Sequence, residues 1–225
     1  MRHIITALAI LVATPAAAQL RQDEQVWVNL TAMGPILDRL VYFAEIQPRV
    51  ADGVSRLDLT ILRPAIGWKL SPAVTVYQGY ARVESPGVDG AAGRGEDRLF
   101  QQISWTLPAG VRSELSSRTR LEERLRSDGR DMALRLRQMM RGEWAFSPDG
   151  RGVRALGSVE AMIALNDADW ISQTGVDQVR TFVGVEIPVK GRSTIEAGYL
   201  NQAINQPGGA ARMNHVASIS LFFRH

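Results

Sequence analysis

The stretch "RTRLEERLRSD", Arg118 to Asp128, decides how the chain is read. Its strong helix formers and the spacing of Leu121 and Leu125 suit a surface helix. Taken every second residue, it separates differently. Arg118, Arg120, Glu122, Arg124 and Arg126 fall on one side; Leu115, Thr119, Leu121, Glu123 and Leu125 fall on the other. The following "MALRLRQMM" also offers Met132, Leu136, Met139 and Met140 at helical spacing, so periodicity here leaves a helical hairpin open. The neighbouring segments settle the choice in favour of strands.

From Gln25 onward the chain alternates apolar and polar residues in segments separated by turn clusters, which is the strand signature. Val26, Val28 and Leu30 share a face. Leu40, Tyr42, Ala44 and Ile46 oppose Glu45, Gln47 and Arg49. Leu62, Ile66, Trp68 and Leu70 oppose Arg63, Gly67 and Lys69. Leu57, Leu59 and Ile61 are out of phase with that second half, which predicts a β-bulge near Ile61–Leu62. The pattern recurs through Arg98, Arg135, Arg137, Arg141, Glu143, Arg154, Glu160, Arg180 and Glu186 to the closing "NHVASISLFFRH".

About eleven such segments result, each near the roughly 9–11 residues that cross a bilayer as a tilted strand. Short connections ("SP", "PAGVRS", "SPDGRG", "KGR") alternate with longer ones (85–97, 166–178, 205–213), as in barrels with short turns at one end and long loops at the other. A soluble sandwich or lipocalin-like periplasmic barrel also alternates. Here, however, Arg and Glu sit in the middle of strand after strand, opposite Leu, Val, Ile, Met and Ala. In lipid such a sheet must close to satisfy its edges. Its apolar face then meets lipid and its charges face the interior. Trp68, Tyr77, Trp105, Trp144, Phe146 and Tyr199 are candidates for interfacial aromatic girdles. The expected fold is all-β: a single-domain, antiparallel up-and-down transmembrane β-barrel of 10–12 strands. With both termini on one side the strand number would be even.

The first residues, "MRHIITALAILVATPAAAQL", place a basic start before a short apolar run and small residues. This predicts a cleaved signal peptide over 1–18 and a barrel domain over 19–225, exported to the cell outer membrane of a Gram-negative envelope. A membrane anchor is disfavoured because the run is short and ends in an A-x-A-type site. The remaining chain holds no apolar run approaching the roughly 20 residues of a membrane helix. There is no cysteine, which excludes disulfides, thiol nucleophiles and Cys-ligated zinc. The basic residues are nearly all arginine, with lysine only at positions 69 and 190, and the formal net charge is +3. Such a composition suits half-buried ion-pair networks, and export argues against nucleic acid as a partner. Expected partners are outer-membrane lipid and lipopolysaccharide, with the barrel-assembly machinery reading the C-terminal strand. There Ala217, Ile219, Leu221 and Phe223 alternate toward an aromatic, followed here by Arg224 and His225.

"EIQPRV", "LRPAIGWKL", "GYARVES", "EDRLFQQISW", "RTRLEERLR", "VRTFVGVEI", "EAGYLNQAIN" and "NHVASISLFF" together resemble the bacterial domain-of-unknown-function family numbered 2490. The likeness spans nearly the whole chain after the leader and keeps the motif order. Members more often carry Glu-His-Arg where this chain has Glu96-Asp97-Arg98. The resemblance implies an exported β-barrel and supplies no reaction.

Catalytic chemistry has little material. An outer-membrane lipid-modifying hydrolase needs a nucleophile, a base and an orienting group within reach. His215 is the plausible base, yet Ser218 and Ser220 fall by parity on the opposite face. Asp167, Asp169 and Asp177 share one loop without the spacing of a calcium loop, and "GAAGRGE" leads into no helix, so no metal or cofactor is expected. The informative residues are those directed inward: Glu45, Arg49, Arg63, Arg98, Arg118, Arg120, Glu122, Arg124, Arg135, Arg137, Glu143, Arg154, Glu160, Arg180, Glu186 and Glu196. They are read either as a cross-paired filling of the lumen or as a cationic, anion-preferring path for small solutes. Arginines leave little spare room in a barrel of this size, which favours the filled lumen.

Overall fold

The structure, a computed structural model, describes residues 20–171, 174–206 and 210–225. The leader expected over 1–18 lies outside them. Eleven strands follow one another in chain order: β1 (Leu20–Leu37), β2 (Leu40–Ala51), β3 (Arg56–Lys69), β4 (Val74–Ser85), β5 (Arg94–Pro108), β6 (Ser113–Arg126), β7 (Ala133–Ala145), β8 (Arg154–Ala164), β9 (Gly175–Pro188), β10 (Thr194–Asn205) and β11 (Ala211–Arg224). Each pairs with its sequence neighbour, and the sheet closes on itself as a barrel. "RTRLEERLRSD" is β6 and the start of its turn, not a helix. Leu121 pairs with Leu136 across to β7, so the apparent helical spacings are same-face positions on two adjacent strands.

The strand number is odd, which corrects the expectation of a fully antiparallel barrel with an even count. Ten neighbouring pairs are antiparallel, and the barrel closes through a parallel pairing of β1 with β11. That pairing runs in unbroken register from Leu20↔Ala211 to Met33↔Arg224. β1 therefore begins at one end of the barrel and β11 finishes at the other. At the end where β1 begins lie the connections 52–55, 86–93 and 127–132 and the ends of β8 and β10; at the end where β11 finishes lie 38–39, 70–73, 109–112, 146–153 and 189–193.

The bulge also lies elsewhere than the sequence suggests. Arg49 pairs with Leu59 but Val50 pairs with Leu57, so Asp58 is the extra residue. Leu59 and Ile61 stay in phase with Arg63 and point inward, where they pack with Ala81 and Val83. The change of phase marks an apolar pocket inside one wall rather than a change of face.

The two faces differ sharply. Leu62, Ile66, Leu99, Val159, Val183 and Ile219 are among the many large apolar side chains exposed on the outside. Trp68, Trp144 and Phe146 stand out near the short-turn end and Tyr80 and Tyr199 nearer the long-loop end. Tyr77 is not among these outward aromatics. It lies inside, with its ring 5.3 Å from that of Phe43, over Gly67, where a Cβ would come within 2.4 Å of it. Phe43, Ala65 and Phe100 form the apolar half of the interior, on β2, β3 and β5. Gly79 leaves the space that Phe100 occupies. Polar side chains on the outer face satisfy each other. Gln101 donates to Gln78 at 3.3 Å, Thr119 to Gln138 at 2.5 Å, and Gln138 to Ser117 at 2.7 Å.

The parallel seam has a direct test, made clean by the absence of native cysteine. Gln22 pairs with Met213 and Val28 with Ile219. The double variants Q22C/M213C and V28C/I219C are both expected to cross-link within one chain on oxidation, read by gel mobility. An antiparallel closure would bring at most one of these pairs into register.

Candidate functional site: the charged interior

Parity places charged side chains on the inner face of β2, β3 and β5 to β10, and the structure brings them into shared clusters. On β6 and β7, Arg120 lies directly opposite Arg137, a like-charge pair, and Glu122 opposite Arg135. Glu143 does not pair with the arginine column; it lies opposite Glu114 near the short-turn end. Balance comes from carboxylates that each serve several guanidinium groups.

Glu122, 1% exposed, accepts from Arg135 Nε and Nη2 at 3.0 and 2.6 Å and from Arg137 Nη1 at 2.9 Å. Arg120 Nη1 stands 3.7 Å away. Glu160, two strands further on β8, accepts from Arg137 Nη2 at 2.8 Å and Arg118 Nη2 at 2.7 Å, with Arg180 Nη1 at 3.7 Å. Glu96 holds Arg98 at 2.8 and 3.0 Å and Arg124 at 2.5 Å. Glu45 pairs with Arg63. Near the short-turn end Arg141 donates to Glu143 at 2.8 Å and to Glu196 at 2.9 and 2.8 Å, with Glu186 at 3.8 Å, and Arg154 lies 3.6 Å from Glu143.

All the residues read as inward therefore lie in the interior, but not equally paired. Arg49 has only Gln47 as a hydrogen-bond partner among the described residues, at 3.2 and 2.7 Å. Its guanidinium instead stacks on Trp27, 3.6 Å from the ring centroid, with that of Arg180 at 5.0 Å from the same ring. Arg120 is held by Gln102 at 2.8 and 2.5 Å and lies 4.3 Å over Phe100, joining the charged and apolar halves. Trp27, Gln102 and Glu96 were not singled out from sequence. The signal was present for Trp27, which shares its parity with Gln25, Asn29 and Thr31, a polar face on which an aromatic must be interior.

Two interior cavities of about 170 Å³ each follow one another along the barrel. Both are lined by Trp27, Arg49, Arg63, Arg137 and Arg180, which form the waist between them. At the long-loop end Trp170 rests 4.8 and 4.9 Å from the guanidinium groups of Arg124 and Arg126 and donates to the Asp131 carbonyl at 2.8 Å.

The model of a family described as Protein of unknown function (DUF2490) matches residues 24–214. The chain belongs to this family. An uncharacterized protein of Methylorubrum extorquens is 44% identical over 229 residues, covering 100% of both chains. No solved structure matches the chain. The span matched by the DUF2490 model runs from β1 into β11 and so takes in the whole charged interior. Within that span Asp97 accepts from Arg82 at 2.8 Å on the outer face, while Glu96 and Arg98 are buried within.

His215 is also on the outer face. Its Nδ1 lies 2.6 Å from the Tyr199 hydroxyl and its Nε2 3.2 Å from Gln22 Oε1, whereas Ser218 and Ser220 line an interior cavity. No group of three or more potential metal-ligating side chains stands together among the described residues. Of the loop carboxylates, Asp169 accepts the backbone N–H groups of Arg130 and Asp131 at distances of 3.1–3.3 Å.

Two predictions follow from this geometry. Removing Glu122 leaves Arg135 and Arg137 partly unpaired in the interior, and E122A is expected to cost about 3–5 kcal/mol of stability, read by urea unfolding of the folded barrel. The second concerns the loops. The backbone N–H of Arg130, followed by that of Asp131 and the Arg130 charge, holds the Asp169 carboxyl below its ordinary range. A depressed folded value means that loop docking is favoured above the ordinary aspartate range and is lost as pH falls through the depressed value. Trp170 fluorescence, taken as the difference from W170F, is expected to stay constant from neutral pH to about 4 and to change only below it. In D169N the acid transition should disappear.

Proposed function

We propose that the protein is an outer-membrane β-barrel whose interior is filled by an Arg/Glu network, a structural envelope barrel that gives passage only to small solutes and prefers anions among them. The carrying observation is the division of the two faces. Large apolar side chains cover the outside of strand after strand while arginines and glutamates fill the inside, the reverse of a soluble barrel. Strands of 11 to 18 residues reach or exceed the roughly 9–11 residues that a tilted strand needs to cross a bilayer. A closed sheet leaves no edge to satisfy in lipid.

The filled interior supports a narrow rather than a porin-like path. The waist at Trp27, Arg49, Arg63, Arg137 and Arg180 separates the two cavities, and the surplus of guanidinium groups there favours anions. The geometry of His215 gives a lipid-modifying hydrolase little support, since its ring nitrogens face Tyr199 and Gln22 rather than a serine.

Fractionation of expressing cells is expected to place the protein in the outer membrane, with a heat-dependent shift in gel mobility. In planar bilayers its conductance should be far below that of an open porin and carried mainly by anions. A soluble periplasmic product would overturn the membrane reading, and porin-scale conductance would overturn the filled interior.

A further inference from the structure

The cavity on the long-loop side of the waist is lined by eight arginines and a single acidic residue, Asp58. Most of these arginines already serve carboxylates: Arg98 and Arg124 on Glu96, Arg135 and Arg137 on Glu122, Arg212 on Asp23. Three remain under-used. Arg49 has no carboxylate partner among the described residues, and Arg180 has one only at 3.7 Å. Arg63 is paired at one end with Glu45, yet its Nε is buried with no hydrogen-bond partner, as is that of Arg180. Arg49 and Arg63 are 8% and 6% exposed.

Buried guanidinium N–H groups without acceptors are costly and are rarely left so. Converging guanidinium groups around one cavity present pairs of N–H donors spaced for two oxygens of one anion. Trp27 packs against Arg49 and Arg180 and fixes both planes. We infer that the waist is a binding site for one small oxyanion of the phosphate or sulfate class, held by Arg49, Arg63 and Arg180. The anion supplies the acceptors these groups lack and neutralises charge that the glutamates leave over. The site rests on the reading of the interior as filled and anion-preferring; it does not depend on where in the cell the barrel resides.

The test uses the full-length mature protein, folded in detergent. Inorganic phosphate and sulfate, titrated at constant ionic strength against chloride, are expected to bind saturably at one site per chain by calorimetry and to raise the unfolding temperature. R49Q and R180Q should each weaken binding by about tenfold, and the double variant by about a hundredfold. Both should keep the barrel's circular dichroism and heat-dependent gel shift, because removing an under-paired charge relieves repulsion. R56Q, on the same end of the barrel but outside the waist cavity, should bind phosphate like the parent. Binding that fails to saturate, or that follows ionic strength alone, overturns the site. So does undiminished binding in R49Q/R180Q, or an equal loss in R56Q. These outcomes are read separately from fractionation, so a soluble barrel that binds phosphate and a membrane barrel that does not are distinguishable.

Discussion

Arg137 donates to Glu122 and Glu160 at once, and the interior is organised around that double pairing. A charge taken out of water carries a large desolvation cost, which only close, multiple hydrogen bonds to the opposite charge can offset. Here each central carboxylate serves more than one guanidinium group, so one acidic residue stabilises a column of basic ones across neighbouring strands. This arrangement requires strands whose registers are fixed to the residue. A slip of one position would turn Glu122 outward and leave its arginines facing each other.

The network also explains why the interior is not uniformly charged. Phe43, Phe100, Ala65 and Tyr77 fill the wall of β2 to β5, with glycines at 67 and 79 making room for the rings. Arg120 meets that wall by laying its guanidinium over Phe100, which covers part of a charge that Glu122 reaches only at 3.7 Å. The wall of β2 to β5 is thus packed in part like a small core, while the charged half is held by ion pairs, to which Glu45 and Arg63 of β2 and β3 also belong. The two cavities lie along the charged half, and Trp27 with Arg49 and Arg180 forms the contact that separates them.

Strand identity, facing and approximate number were legible in the sequence because side chains alternate with period two. The column Arg118, Arg120, Glu122, Arg124 gives its own direction once the strand assignment is made. The pairing of specific charges was less so: alternation tells which side a residue faces, not which residue of the next strand lies opposite. Glu143 shares the inner face with the arginine column, yet the β6–β7 register sets it opposite Glu114, which alternation alone does not show. Tyr77 and Leu59 misled for a related reason. An aromatic or leucine on the inner face looks, in one dimension, like a residue of the outer belt, and only the neighbouring Gly67 and Ala81 show that the interior has room for it. The closure was the least legible feature, since nothing local to β1 or β11 says whether they run parallel.

That closure gives the molecule a direction. With an even number of strands the two ends of a barrel chain meet, and the loop that would join them is short. Here Leu20 and Arg224 lie at opposite ends of adjacent strands that run the same way. No brief linker can join them, so this barrel cannot be recut by circular permutation as its even-stranded counterparts can. An extension on one terminus emerges from the long-loop end and an extension on the other from the short-turn end. The order of the strands in the chain is thereby part of the architecture, not an arbitrary starting point on a ring.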